Sequence, residues 1–312
     1  MKISIIIPYV DEHDFLREAV ASALAQEGDK EIIVVCNAGS IPQGYDPLFN
    51  NFADVKFIHE PTPGSAFARN SGLAAATGDW VQFLDVDDIL LPGKIKGQLA
   101  FENADVIVSP HTYQFLSGRK AASAWEPDDT WSALLAGHLG STSSMLWRRS
   151  ALLEARGWNE SFYRSQEYEL IFRLLKAGNR IACCSDNLTL VRERRQGSIT
   201  KTTRYKPWAG ITLRENIWAY LNQHAMTTPR RFDAFRKYIF KNVRVLYSLE
   251  KEEARSLHHK YFSVPAFAPR IPHIPLYAMM YRWFGFEPTE NIIGQYKYLR
   301  DSIKKLFPSS RR

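Results

Sequence analysis

The chain has 312 residues, of which 45% are hydrophobic and 23% are charged. These proportions are ordinary for a soluble globular protein and exclude a low-complexity or fibrous chain. No apolar run approaches the ~20 residues needed to cross a bilayer. Met1 and Lys2 lead directly into a strand pattern, so no secretory signal is predicted. Three cysteines, two of them adjacent, do not make a disulfide framework and favour a reducing, cytoplasmic compartment.

Charge divides the chain into two parts. Residues 1–200 hold 19 Lys and Arg against 25 Asp and Glu, whereas residues 201–312 hold 21 against 8. An acidic part joined to a basic part suggests different partners for each. We therefore predict a first domain over residues 1–204 and a basic, aromatic-rich helical region over residues 205–312.

The first part alternates strand and helix patterns. Strands are predicted at 3–7, 31–35, 55–58, 80–84, 106–108 and 181–184, and helices at 15–24, 65–76 and 167–175. Apolar strands separated by helices predict an α/β fold with a mostly parallel sheet flanked by helices. After about residue 205 the strand patterns fade, and residues 213–221 and 232–249 are predicted to be helical.

Three carboxylates, Asp85, Asp87 and Asp88, follow the predicted strand at 80–84. Ligands of open α/β sheets bind where strands end. Clustered like charges destabilise a fold unless a positive group neutralises them, and hard carboxylate oxygens suit Mg²⁺ or Mn²⁺. The alternative from the residues alone is that Asp87 or Asp88 caps a helix beginning near residue 89.

Four blocks then carry a resemblance to a known family. They are Ser-Ile-Ile-Ile-Pro at 4–8, Glu-Ile-Ile-Val-Val at 31–35, Gly-Ser-Ala-Phe-Ala-Arg-Asn-Ser-Gly through Phe-Leu-Asp-Val-Asp-Asp within 64–88, and Gly-Trp-Asn-Glu through Gln-Glu-Tyr-Glu-Leu within 157–170. In this order and spacing the chain resembles the family 2 glycosyltransferases of the GT-A fold over about residues 2–200. The resemblance implies an inverting, metal-dependent enzyme that transfers a sugar from a nucleoside diphosphate to an acceptor hydroxyl.

The resemblance also implies roles for individual residues. Glu167 is the implied general base, and Asp85 and Asp87 are the implied ligands of Mn²⁺ or Mg²⁺. The implied nucleotide-sugar contacts are Pro8, Tyr9, Asn37, Arg69, Asp85 and Arg195. Two of these residues have simpler readings: Glu167 as a first-turn acid that complements the helix dipole, and Arg69 as a surface cation on an alanine-rich helix.

The chain departs from the family pattern at several positions. Cys36 stands where an aspartate usually contacts the base, which weakens the expectation that the donor is a UDP-sugar. Gln166 precedes Glu167 where the family has a Glu-Asp pair, and Arg195 replaces a histidine. With Arg192 and Arg194, Arg195 suggests a phosphate clamp. These departures motivate an alternative, a non-catalytic nucleotide-sugar-binding protein on the same fold.

Family habit implies a carbohydrate or lipid-linked acceptor in surface polysaccharide or glycolipid synthesis. In residues 205–312, aromatics alternate with Lys and Arg. This pattern suggests contact with an anionic membrane at its inner face; the alternative is a helical subdomain that packs its aromatics on the first domain. No nucleic-acid motif is present, so nucleic acid is not an expected partner. The eight histidines show no ligand spacing and are predicted to face solvent.

Overall fold

The computed structural model describes residues 1–306 except Glu12, 39–54, 195–206, 264–266, 268, 270, 272 and 273, with side chains as far as Tyr296. The chain forms two compact units, Met1–Tyr205 and Lys206–Arg312.

The described part of the first unit contains two sheets and six α-helices. Its strands are β1 (Ile3–Tyr9), β2 (Lys30–Asn37), β3 (Val55–Glu60), β4 (Trp80–Phe83), β5 (Ile89–Leu90), β6 (Val106–Val108), β7 (Thr112–Gln114), β8 (Lys120–Ala122), β9 (Leu146–Arg148), β10 (Ile181–Cys183) and β11 (Thr189–Arg192). Its helices are α1 (His13–Leu24), α2 (Ser65–Ala75), α3 (Lys94–Leu99), α4 (Thr130–Ala136), α5 (Arg149–Glu154) and α6 (Gln166–Lys176).

The larger sheet has the strand order β10-β6-β9-β4-β1-β2-β3. Strand β1 runs parallel to β2 and β4, and β2 runs parallel to β3, whereas β9 is antiparallel to β4 and β6. The predicted α/β fold with a mostly parallel sheet is confirmed. Because parallel strands share their carboxyl edge, Tyr9, Asn37 and Asp85 lie at one edge of this sheet.

The centre of the sheet is packed closely against α2. Strand β1 is apolar and β-branched, and Ile5, Ile6 and Ile7 are fully buried. A Cβ atom on Gly72 of α2 would stand 2.3 Å from Cγ2 of Ile6. Glycine at this position therefore lets α2 pack closely on β1, and this close packing sets the distance between α2 and the sheet.

The smaller sheet was not predicted. Its order is β5-β11-β7-β8, and residues 89–90 form its strand β5. The helix after the acidic cluster begins only at Lys94, with Gly93 as its N-cap, so the helix-cap interpretation of Asp87 and Asp88 is wrong. This sheet brings β11 beside the acidic cluster, where Arg192 at its end contacts Asp87 and Asp88.

The described part of the second unit is helical. Its helices are α7 (Trp208–Gln223), α8 (Pro229–Tyr247), α9 (Lys251–Phe262), α10 (Tyr277–Phe284) and α11 (Phe286–Leu306). Both predicted helices are confirmed. Aromatic rings form the core of this unit: Phe240 lies 5.2 Å from Phe262 and 5.6 Å from Tyr281 between ring centroids. Among the described residues, no helix combines the length and apolar character needed to cross a bilayer.

Two histidines contradict the prediction that this residue type faces solvent. His258 stacks on Phe286 at 4.3 Å and shares a 2.8 Å hydrogen bond with the Tyr281 hydroxyl. His111, in the first unit, is buried and packs edge-on against Tyr113 at 4.5 Å. A neighbouring ring two residues away contacts His111, whereas the rings of Tyr281 and Phe286 that contact His258 come from α10 and α11.

Candidate active site

Arg69 connects the end of β4 to the start of α6. Its Nη2 donates to Oδ1 of Asp85 at 2.6 Å, and its Nη1 donates to Oε1 of Gln166 at 2.7 Å. Ser65 also donates to Gln166, at 3.1 Å. Arg69 is buried, so its interpretation as a surface cation is wrong. The arginine instead fixes Asp85 relative to the turn that carries Glu167.

Asn70, the next residue, holds the segment that precedes α6. Its Oδ1 accepts from the Trp158 amide at 2.8 Å, and its Nδ2 donates to the Trp158 carbonyl at 3.0 Å. The Arg69 guanidinium lies 4.7 Å from the Trp158 ring, which is buried against Trp147 and Phe83. Asn70 therefore holds the fourth sequence block through the backbone of Trp158, and Arg69 contacts the same block through the Trp158 ring.

Asp87 faces the end of β11. Its Oδ2 accepts from Nε of Arg194 at 2.5 Å, and its backbone carbonyl accepts from Nε of Arg192 at 2.5 Å. Arg192 also pairs with Glu18 and lies 4.8 Å from the Phe15 ring. Burial, reinforced by the charge of Asp85, raises the pKa of Asp87, and Arg194 partly opposes that rise.

Asp88 is the deepest carboxylate of the cluster. It is buried and accepts from the Arg192 amide at 3.3 Å. Burial, together with the charges of Asp87 and Asp85, raises its pKa well above the usual range, while a hydrogen bond with Ser143 opposes the rise. Ser143 Oγ also accepts from the Asp85 amide at 3.0 Å.

Arg69 and Arg194 are paired with Asp85 and Asp87, so two cations of the chain itself already neutralise part of the charge of this cluster. In the described part of the chain, no group of three or more His, Cys, Asp or Glu is placed to hold a metal. Mg²⁺ is, however, commonly held by one or two carboxylates and completed by substrate phosphates. Asp85 and Asp87 are partly exposed, and they supply hard oxygens that fit such a shared ion.

The residues predicted to contact the nucleoside lie at the ends of β1 and β2. Tyr9 pairs in register with Cys36, and its hydroxyl shares a 2.9 Å hydrogen bond with Nδ1 of His13. Asn37 donates to the Thr62 carbonyl at 2.7 Å and accepts from the Gly64 amide at 2.9 Å, so it shapes the loop that leads into α2. Burial raises the pKa of Cys36 to about 11, which keeps its thiol neutral. Pro8 precedes Tyr9 on the same strand end.

Glu167 lies half-buried in the first turn of α6, directly after the Gln166 that Arg69 holds. Tyr113 of β7 is near it: burial, and then the charges of Glu167 and Asp88, raise the pKa of the Tyr113 hydroxyl. Tyr113 was not predicted from the sequence, because a single tyrosine in a three-residue strand has no distinguishing pattern. Arg195 lies outside the described residues, and its predicted contact stays a prediction.

Known proteins resemble the first unit of this chain. Residues 4–149 match the family model for "Glycosyl transferase family 2". A pre-mycofactocin glycosyltransferase of Mycobacterium tuberculosis is 26% identical over 198 residues, covering 57% of this chain and 40% of that protein. An uncharacterized glycosyltransferase of Nostoc is 35% identical over 123 residues, covering 38% of each. The chain spans less than half the length of these curated relatives.

Solved structures share the fold. TarS 1-349 of S. aureus, in complex with UDP-GlcNAc, superposes with a TM-score of 0.59 at 15% identity, covering 96% of this chain and 92% of that one. The mannosyltransferase PcManGT of Pyrobaculum calidifontis, in complex with GDP-Man and Mn²⁺, gives a TM-score of 0.52 at 15% identity, covering 99% and 88%. The GT-A fold expected from the four sequence blocks is confirmed, and residues 4–149 of the first unit match glycosyl transferase family 2, in agreement with the expected resemblance.

Proposed function

We propose that this chain transfers a sugar from a nucleoside diphosphate to an acceptor hydroxyl. The observation that carries the proposal is the Arg69 clamp, which joins Asp85 at the sheet edge to Gln166 beside Glu167. It keeps a carboxylate suited to the donor at a fixed position relative to a carboxylate suited to the acceptor. Catalysis of group transfer depends on such fixed placement of the reacting groups.

Glu167 is the proposed general base. It takes the proton of the acceptor hydroxyl as that oxygen bonds to the anomeric carbon, and the bond from this carbon to the diphosphate oxygen breaks. The diphosphate leaves on the opposite face of the sugar, so the anomeric centre is inverted. We further propose that Tyr113, whose hydroxyl interacts with the charges of Glu167 and Asp88, contacts the acceptor.

Asp85 and Asp87 would hold a Mn²⁺ or Mg²⁺ ion, which would offset the charge that develops on the leaving diphosphate. The carboxylate oxygens suit either ion, and the Mn²⁺ complex of PcManGT supports this proposal. In this structure Arg194 contacts Asp87, and a bound diphosphate offers Arg194 another anionic partner. This part of the proposal also includes Arg195 as a phosphate contact.

A UDP-sugar remains the proposed donor, with Pro8, Tyr9 and Asn37 bordering the base. TarS binds UDP-GlcNAc and PcManGT binds GDP-Man, so fold neighbours accept either base. We further propose a carbohydrate or lipid-linked acceptor in surface polysaccharide or glycolipid synthesis, and a cytoplasmic location at the inner face of a membrane. The charge difference between the two parts of the chain supports the membrane location.

Donor hydrolysis tests the proposal without knowledge of the acceptor. UDP- and GDP-sugars are screened by thermal shift, with Mn²⁺ or EDTA, and release of nucleoside diphosphate is then measured with water as acceptor. Glu167→Gln is expected to lower turnover at least about 100-fold, the usual contribution of a general base. The exposed Glu154→Gln serves as the matched control and is expected to leave turnover unchanged.

The outcomes separate the two functions. Donor binding without turnover by the wild type would favour the non-catalytic binding protein. Equal turnover of Glu167→Gln and the wild type would remove Glu167 as base, and equal donor affinity in Mn²⁺ and EDTA would remove the metal. Once an acceptor is known, retained anomeric configuration in the product would contradict inversion.

A further inference from the structure

Helix α10 of the second unit presents an apolar face that the described structure leaves uncovered. Leu276, which precedes the helix, is 59% exposed, Met279 is 39% exposed, and Trp283 is 70% exposed. These residues stand at positions i, i+3 and i+7, so they share one side of the helix. Phe284, next to Trp283, is 55% exposed.

The opposite side of α10 is anchored, which fixes this orientation. Tyr277 is fully buried, and its hydroxyl donates to Glu290 at 2.5 Å. Tyr281, one turn later, stacks with Tyr277 at 6.2 Å between centroids and hydrogen-bonds His258. Rotation of the helix to hide Trp283 would break these buried contacts. The exposed apolar face is therefore a stable feature of the unit.

The part of the chain that contains this face is positively charged, since residues 201–312 hold 21 Lys and Arg against 8 Asp and Glu. Arg282 is exposed between the aromatic positions of α10. The sequence from residue 297 to residue 312 holds six Lys and Arg against one Asp. The interface of a bilayer that contains anionic lipid can bind both the apolar face and the cations. Aromatic and aliphatic side chains enter the headgroup boundary, and cations contact the lipid phosphates. A second copy of this chain would bring a like-charged surface to the same face.

We propose that α10 docks the chain on an anionic lipid bilayer, with Leu276, Met279, Trp283 and Phe284 entering the headgroup boundary and Arg282 contacting lipid phosphate. This inference deepens the membrane location proposed above by assigning it to one helix face. Lipid binding by this face does not require sugar transfer, so the two can be measured separately.

Vesicle flotation of the full chain tests the assignment. Wild type is expected to float with phosphatidylcholine vesicles that contain phosphatidylglycerol, weakly with phosphatidylcholine alone, and less at high salt. The double variant Leu276→Ser, Trp283→Ser is expected to lose about tenfold or more of its lipid partitioning, since both residues supply buried apolar area. Leu249→Ser removes another leucine of the same unit, 49% exposed, and is expected to bind like wild type.

Several results would overturn the proposal. They are no flotation by wild type, equal flotation with neutral and anionic vesicles, and equal losses in the double variant and Leu249→Ser. A wild-type dimer in sedimentation analysis that the double variant abolishes, without a change in flotation, would make the face a self-association surface. Thermal-shift binding of the donor is run on the same samples: if flotation behaves as expected while the donor fails to bind, the proposed function fails and the lipid assignment stands.

Discussion

Asp88 is the carboxylate of the candidate site whose charged form most clearly destabilises the fold. It is buried beside Asp87 and Asp85, and this surrounding raises its pKa. A carboxyl group whose folded pKa is raised favours folding most when it is protonated. Its contribution is therefore present at low pH and is lost as the pH rises through the folded pKa.

The change Asp88→Asn should stabilise the protein at neutral pH. The amide oxygen can still accept from Arg192 and Ser143, but no charge is buried. We expect the free energy of unfolding at pH 7 to rise by roughly 1–3 kcal/mol, the range for an imperfectly satisfied buried polar group. Urea unfolding at pH 7 and pH 4 measures this, and the gain should shrink at pH 4. Asp29→Asn, at an exposed position, is the control, and a destabilised Asp88→Asn would contradict the prediction.

For single residues, the sequence identified candidates for the site where a chemically suited residue type lies within one of the four blocks. The blocks at 64–72 and 80–88 singled out Arg69, Asp85 and Asp87, and the structure brings Arg69 and Asp85 into contact. The sequence did not predict that Arg194 would pair with Asp87, since that contact spans 107 positions. Pairing partners at such separation depend on the second sheet, whose strands are only two to four residues long.

The contact between α2 and the segment before α6 explains why two distant sequence blocks occur together. Asn70 binds both backbone groups of Trp158, 88 positions away. Gly157 has φ of +65° and lies so close that a Cβ atom there would stand 2.5 Å from Oδ1 of Asn70. Glycine tolerates both the left-handed backbone and the close approach. The fourth block is therefore shaped by the third.

Replacing Asn70 with alanine should disturb α6 as a unit. The Trp158 amide and carbonyl would lose their partners, and we expect a loss of about 1–3 kcal/mol in the free energy of unfolding. Because Glu167 follows this segment, donor hydrolysis should fall at least about tenfold. The control is Asn179→Ala, which removes one 3.2 Å hydrogen bond to Leu174 near the other end of α6.

This control is expected to lose some stability but to keep its turnover. If Asn70→Ala were destabilised and yet hydrolysed the donor at the wild-type rate, the contact between Asn70 and Trp158 would not position the turn that carries Glu167. Chemical denaturation and donor hydrolysis on the same preparations separate these effects.

Elements with a long apolar pattern were predicted well, whereas short ones were predicted only in part: β6 and β10 were expected, and β5, β7, β8, β9 and β11 were missed. Strands β1 and β2, of seven and eight residues, contain continuous runs of β-branched side chains, and helix α6, of eleven residues, has a helical period. Strand β9 has three residues and runs antiparallel to its neighbours, and β5 has two. A run that short carries no readable period, so its pairing is decided by the tertiary structure around it.

For the whole molecule, composition predicted the uneven charge but not how each unit buries polar groups. Among the described residues, His111 of the first unit is buried, and His138 of the first unit and His258 of the second are half-buried. Burial lowers the pKa of His111 and of His258 to about 4. Sequence alone could not distinguish His111 and His258 from the other six histidines, because the burial of His111 and the stacking of His258 on Phe286 arise only in the folded chain.

These histidines should make both units sensitive to mild acid. When a folded pKa is lowered, the unfolded chain takes up the proton first, so stability present above about pH 6.5 is lost as the pH falls toward 4. For His111 the loss can reach about 3 kcal/mol, from a pKa displacement of roughly 2.5 units. It should be smaller for the less buried His258. The raised pKa of Asp88 acts in the opposite direction in the first unit.

The double variant His111→Phe, His258→Phe keeps the ring contacts with Tyr113 and Phe286 and removes both titrating groups. We expect its free energy of unfolding to fall less than that of wild type between pH 7 and pH 4.5, by about 2 kcal/mol or more. Urea titrations at several pH values measure this difference. His59→Gln, at an exposed position, should follow the wild-type curve. Parallel curves for wild type and the double variant would mean that other groups govern the acid response, because only a proton taken up preferentially by the unfolded chain gives this slope.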